Sequence, residues 1–90
     1  MSWIIEFDSN AAKEYKKLPA DLKKNILDYL NNKVLKSNHP KDLGKPLKYG
    51  YVGLWRYRVD KHRIICHIEE GKLVVLILKI SHRDSVYKVL

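Results

Sequence analysis

Leu54-Trp55-Arg56-Tyr57-Arg58-Val59-Asp60-Lys61-His62-Arg63-Ile64-Ile65-Cys66-His67-Ile68-Glu69-Glu70-Gly71 is the stretch whose reading decides the fold. Its Val, Ile, Leu and aromatic content, punctuated by two turn pairs, predicts strands over 54–59 and 62–69, with a third over 72–81. Asp60-Lys61 and Glu70-Gly71 are the expected hairpin turns. The second carries the better signal, because Gly takes the positive φ that tight hairpins demand. A two-residue turn at Asp60-Lys61 sets Val59 opposite His62 and Arg58 opposite Arg63. Arg56, Arg58 and Arg63 then share one face of the hairpin. Trp55, Tyr57, Val59, Ile64, Cys66 and Ile68 share the other, which is the expected core.

Upstream, Trp3, Ile5 and Phe7 alternate with Ser2, Ile4 and Glu6, a period of two that predicts a first strand with one apolar face. Any of Asp8, Ser9 and Asn10 can cap the short amphipathic helix that follows, in which Ala12, Tyr15 and Leu18 recur at helical spacing. Pro19 interrupts that pattern and suits the first turn of a second helix. Leu22, Ile26, Tyr29, Leu30 and Val34 form one stripe of this helix, which runs to about position 36. Ser37-Asn38-His39-Pro40 ends it, and Gly44, Pro46, Gly50 and Gly53 mark 41–53 as mostly connecting chain. The expected fold class is α+β: a four-stranded, mainly antiparallel sheet with two N-terminal helices packed on it and a short C-terminal helix. No repeat or linker divides the chain, so residues 1–90 are expected to form a single domain.

Eighteen Lys and Arg against ten Asp and Glu give a formal charge of +8. A charge of that size on a small domain suits a polyanionic partner, since cations that neutralise phosphates release condensed counterions. Like charges placed opposite each other weaken a hairpin. The arginine face therefore reads either as a phosphate-binding surface or as an ordinary solvated sheet face. Lys45, Lys48 and Lys79 are candidates to widen the positive field. A second cluster, Ile80-Ser81-His82-Arg83-Asp84-Ser85-Val86-Tyr87, brings an imidazole, a guanidinium and a phenol to the rim of the same sheet. Strand parity places His82 on the arginine face and Arg83 opposite, but parity lapses once the strand ends, so either can turn inward.

Other chemistries lack their residues. Cys66 is the sole cysteine, so no disulfide framework and no Cys-based zinc site is expected, and a reducing compartment fits. His39, His62 and His67 form no convincing metal site. There is no Gly-rich phosphate loop and no nucleophile elbow. The longest apolar run, 73–78, falls far short of the roughly 18 residues a membrane span needs, and Met1 to Asn10 has no basic region followed by a long apolar stretch, so no leader segment is expected. A cytoplasmic protein without cofactor or metal is expected.

The opening Phe7-Asp8, the Leu18-Pro19-Ala20-Asp21-Leu22 junction, Trp55-Arg56-Tyr57-Arg58-Val59 with Arg63-Ile64-Ile65, and the closing His82-Arg83-Asp84-Ser85-Val86-Tyr87 resemble the RelE toxins of the RelE/ParE superfamily. The last two stretches are the specific ones; the helix junction is shared with ParE relatives. The resemblance implies a toxin of a type II toxin–antitoxin system. Its expected activity is that of a metal-independent endoribonuclease that cleaves mRNA in the A site of the 70S ribosome by 2′-hydroxyl attack on the adjacent phosphate. The resemblance matches Arg63 and Arg83 to the arginines that hold the scissile phosphate, Arg56 to a basic position, and Tyr87 to a tyrosine that stacks on a base and is a candidate for proton transfer. Arg58, Lys45, Lys48 and Lys79 would extend the RNA-binding surface. Leu54 sits where the best-studied relatives carry a lysine of the proton-transfer or charge-stabilising apparatus; His82 is a plausible substitute because imidazole titrates near neutrality, the other reading of the family's His-Arg pair being a structural one. A cognate antitoxin, acidic or amphipathic, is the expected protein partner and would cover the arginine face or displace the C-terminal segment. The alternatives are a ParE-like gyrase inhibitor on the same fold and a non-catalytic basic binding domain.

Overall fold

Asp8 sets how the chain leaves its first strand: its Oδ1 accepts the Ala11 N–H at 2.8 Å, so Asp8 is the N-cap of the helix that follows. The computed structural model describes residues 3–47 and 53–82. Strand β1 (Ile4–Phe7) leads into helix α1 (Ser9–Lys16), and α2 (Ala20–Tyr29) follows across a short turn. Pro19 sits at the N-cap of α2, one position earlier than its usual place in the first turn, and its carbonyl accepts the Lys23 N–H. The helix ends in a π-turn (Leu30–Val34), where the Leu35 N–H reaches back five residues to the Leu30 carbonyl at 2.9 Å. Ile26, Leu30 and Val34 are buried against the sheet, with Leu22 and Tyr29 packed beside them, so the predicted stripe is the observed one. In α1 the buried residue is Ala11, with Tyr15 and Leu18 partly covered; the expected Ala12 is one position out of phase.

The chain then makes a 3₁₀ turn (Pro40–Leu43) and strands β2 (Lys45–Pro46), β3 (Trp55–Val59), β4 (His62–Glu69) and β5 (Val74–His82). The sheet has five strands in the order β1-β5-β4-β3-β2, with β1 parallel to β5 and the other pairs antiparallel. The fifth strand is β2, hidden from sequence reading because it is two residues long and contains Pro46. A short edge strand carrying Lys and Pro discourages further pairing, which is how sheet edges are commonly protected. Leu54 lies just outside β3. The expected short C-terminal helix falls outside the described residues.

The turn between β3 and β4 is the expected two-residue one, with Val59 opposite His62, Arg58 opposite Arg63, and a positive φ of 54° at Asp60. Asn25 Nδ2 donates to Asp60 Oδ2 at 3.0 Å and ties this turn to α2. The second hairpin differs from expectation. Its turn spans 70–73 rather than Glu70-Gly71, and the positive φ, 55°, belongs to Leu73. The Leu73 side chain is half-buried, and the Ile4 N–H bonds the Leu73 carbonyl at 2.9 Å, so tertiary contacts with β1 fix a conformation that a glycine would otherwise supply.

One sheet face carries the core: Tyr57, Val59, Ile64, Cys66, Ile68, Val75, Ile77 and Ile80 lie under α1 and α2, with Trp3, Ile5, Phe7 and Trp55 at the margin. Burial of each large side chain stabilises the fold by about 1.5–3 kcal/mol. Tyr57 is fully buried and donates its hydroxyl to the Pro40 carbonyl at 2.6 Å, pinning the 3₁₀ turn to β3. Gly44 completes that junction, because a Cβ there would stand 2.9 Å from the Arg56 carbonyl oxygen and 3.1 Å from the Tyr57 ring. Gly44→Ala is therefore expected to lower stability by about 1–3 kcal/mol through overpacking against backbone. Thermal unfolding should show the drop, and an unchanged midpoint would mean the backbone moves aside without cost.

Candidate nucleic-acid interface

The other face of the sheet is built by the same alternation that buries the core. Arg56 and Arg58 leave β3 on the side away from Tyr57 and Val59, and the register sets Lys45 beside Arg56 and Arg63 beside Arg58. Four cations from three adjacent strands thus occupy neighbouring positions. Arg58 and Lys45 are exposed, and Arg56 and Arg63 are half-buried. The Nε of Arg63 is itself buried, whereas Arg58 is exposed. Beside them Ile65 is fully buried under Leu47 and Leu54, a small apolar patch on an otherwise polar face. Leu54, the residue that departs from the family pattern, is thus a packing group of this patch. Leu43, Lys45, Arg56 and Arg58 border a groove of about 240 Å³ at the sheet edge.

His82 is not on this face, contrary to the parity argument. Ile65 pairs with Lys79 but Cys66 pairs with Ile77, so Leu78 is an extra residue in β5 and forms a β-bulge. Alternation restarts beyond it. Ile77 and Ile80 both point into the core, Ser81 comes to lie opposite Arg63, and His82 lies opposite His62 on the helix side. The two imidazoles meet edge to face with centroids 5.4 Å apart. They line an open pocket together with Pro19, Asp21, Leu22, Asn25, Asp60 and Lys61.

Lys79 is also placed differently from expectation: its Nζ lies 2.8 Å from Glu14 Oε2, with the two side chains only 19% and 28% exposed. Its charge is met by α1 and adds little to the field over the arginines. Glu14 Oε1 accepts the Ile80 N–H at 3.0 Å, so this one carboxylate clamps the backbone at the bulge. Sequence reading passed over Glu14 because an exposed-looking acid on a lysine-rich helix resembles any solvated residue. Lys48, Arg83 and Tyr87 lie outside the described residues.

Burial, then the neighbouring His82, pushes the His62 pKa below the ordinary histidine range, while Asp60 pulls it partly back up. A histidine held neutral by folding binds fewer protons in the folded than in the unfolded chain between its lowered value and the ordinary one near 6.5. Stability should therefore fall as pH drops from about 6.5 through the lowered value and level off below it. His62→Gln should flatten that part of the stability–pH curve, measured by urea denaturation between pH 7 and 5; an identical slope in the variant would contradict the assignment. Burial also pushes the Cys66 thiol up to about 12, which makes it a packing group and not a nucleophile. Among the described residues no three His, Cys, Asp or Glu side chains are grouped to hold a metal, and no helix is long and apolar enough to cross a membrane.

Residues 5–87 match the family described as the ParE toxin of the type II toxin–antitoxin system, parDE. Toxin RelG of Mycobacterium tuberculosis is 25% identical over 88 residues, covering 98% of this chain and 99% of that protein. Among solved structures, the toxin–antitoxin complex RelBE2 from Mycobacterium tuberculosis aligns with a TM-score of 0.82 at 23% identity, over 92% of this chain and 100% of the matched one. A mutant of the E. coli toxin RelE in the free state aligns with a TM-score of 0.74 at 20% identity over the full length of both chains. With the family match spanning nearly every residue and the same α+β sheet beneath it, the chain belongs to the RelE/ParE superfamily of type II toxin–antitoxin toxins.

Proposed function

We propose that this toxin is a ribosome-dependent endoribonuclease that cleaves mRNA in the A site and so stops translation. The observation that carries the reading is the placement of Arg58 directly opposite Arg63, with Arg56 and Lys45 in the next row of the same face. Attack of a ribose 2′-hydroxyl on the adjacent phosphate passes through a pentavalent, highly negative centre, and preorganised guanidinium groups aimed at that charge lower its energy. In this reading Arg63 and Arg83 hold the scissile phosphate, Arg56 and Arg58 bind the flanking backbone, and Tyr87 stacks on a base. With His82 turned to the helix side, Tyr87 becomes the first candidate to take the 2′-hydroxyl proton. Its phenol, ordinarily near a pKa of about 10, would need those cations to bring it down. Neither Leu54 nor Cys66 can serve as base: the first carries no titratable group, and the second is buried in the core.

A cognate antitoxin is the expected protein partner, as in the toxin–antitoxin complexes of structurally similar RelE proteins, and it would neutralise the toxin by covering the arginine face or displacing the C-terminal segment. The description of the matched family as ParE keeps one other reading in play, inhibition of DNA gyrase by binding. One experiment separates them. In a translating extract, A-site cuts that disappear with Arg83→Ala and weaken with Tyr87→Phe are the expected result. Intact message together with inhibited supercoiling would replace it by the gyrase reading, and intact message with ribosome binding alone by a non-catalytic role.

A further inference from the structure

The geometry points to a nucleotide subsite in the groove bordered by Leu43, Lys45, Arg56 and Arg58, where one base of the message lies against Leu43 while the cations hold its phosphate. The inference rests on the mRNA reading above and adds a residue that charge alone would never single out. Leu43 is 40% exposed, one of three large apolar side chains left open among the described residues. The other two, Ile4 and Leu27, lie on β1 and α2, away from the arginines; Leu43 alone shares a groove with them.

Its position is fixed from behind. The Tyr57 hydroxyl holds the Pro40 carbonyl at 2.6 Å, the Asp42 N–H bonds the His39 carbonyl at 2.9 Å, and Gly44 packs directly on the Arg56 carbonyl. With the backbone of this turn held in place, little main-chain freedom is lost when a ligand meets Leu43, so the contact keeps more of its hydrophobic gain. An apolar face next to a dense positive charge matches a nucleotide, which joins a π-surface to a phosphate within one residue. A peptide adding a strand to this edge fits less well, because β2 offers two residues and Pro46 has no N–H to donate.

The test uses intact toxin and 70S ribosomes programmed with a 2′-O-methyl message that cannot be cut, with an abasic nucleotide placed in turn at each A-site position and its 3′ neighbour. For the wild type, one position should weaken binding by about fivefold when its base is removed, the size expected for loss of a modest apolar contact. Leu43→Ser should bind the intact message about fivefold more weakly and show no further loss at that position, while Leu43→Met restores both. Equal sensitivity to the abasic scan in wild type and Leu43→Ser overturns the subsite and leaves the mRNA reading standing. Loss of antitoxin affinity in Leu43→Ser without any change in the scan overturns it in favour of a peptide. Failure of the wild type to bind programmed ribosomes at all overturns the functional reading, and the subsite with it.

Discussion

Arg63→Ala should reduce message cleavage by about two to three orders of magnitude while the protein stays folded, the loss seen when one preorganised donor to a developing oxyanion is removed. Arg63 is singled out over its neighbours by its setting. It sits on β4, with β3 on one side and β5 on the other, its side chain is half-buried, and its Nε is out of contact with solvent. A partly enclosed guanidinium is less freely solvated than an exposed one and reorganises less when charge builds on the phosphate. Arg58 is exposed, so Arg58→Ala should cost less and chiefly weaken binding, raising KM more than it lowers kcat. Arg63→Lys keeps the charge but loses the planar fork, and should fall between the two. Folding should survive because the Arg58–Arg63 like-charge pair is relieved by the same change, which offsets lost packing of the arginine stem. Single-turnover cleavage on programmed ribosomes, alongside a thermal melt of each variant, reads all of this. Cleavage by Arg63→Ala at the wild-type rate would remove the arginine face from the mechanism.

The arginine face was legible in the sequence because it depends only on a two-residue turn and a period of two. Asp60-Lys61 fixes the register, and the register fixes which of Arg56, Tyr57, Arg58 and Val59 points where. The core followed for the same reason. What stayed hidden involves residues whose conformation is set by distant partners. Leu73 takes a positive φ that its own chemistry disfavours because the backbone of β1 bonds to it. Lys45 and Pro46 form a strand only because β3 lies beside them. Most consequential is Leu78: nothing in Ile77-Leu78-Lys79-Ile80 announces a bulge, yet that single extra residue carries His82 away from the arginines and gives Ser81 the position opposite Arg63. The resemblance to RelE toxins supplied candidate site residues but not the side of the sheet that His82 takes, since its parity depends on a bulge the motif does not encode.

The bulge yields the second large effect, at a residue far from the arginines in sequence and outside any motif. Glu14 accepts the Ile80 N–H at 3.0 Å and the Lys79 ammonium at 2.8 Å, both next to the extra residue in β5. Glu14→Ala removes the partner of a backbone donor and of a largely covered lysine at once. An unsatisfied buried donor costs about 1–3 kcal/mol. The lysine adds less than a fully buried partner would, because its side chain is 19% exposed and part of its charge is screened. A total of about 2–3 kcal/mol is expected, and for a domain of this size each kcal/mol lowers Tm by roughly 4–8 °C. Glu14→Gln separates the two contributions, since its amide oxygen still accepts from Ile80 while the ion pair is gone; it should recover more than half of the loss. Lys79→Met removes the ammonium and leaves the backbone bond, and should cost least. If all three variants melt with the wild type, the bulge is held by β4 and β5 alone. If Glu14→Ala also impairs cleavage beyond what its stability loss accounts for, the path from α1 through the bulge to Ser81, opposite Arg63, is a positioning element of the site as well as a structural one.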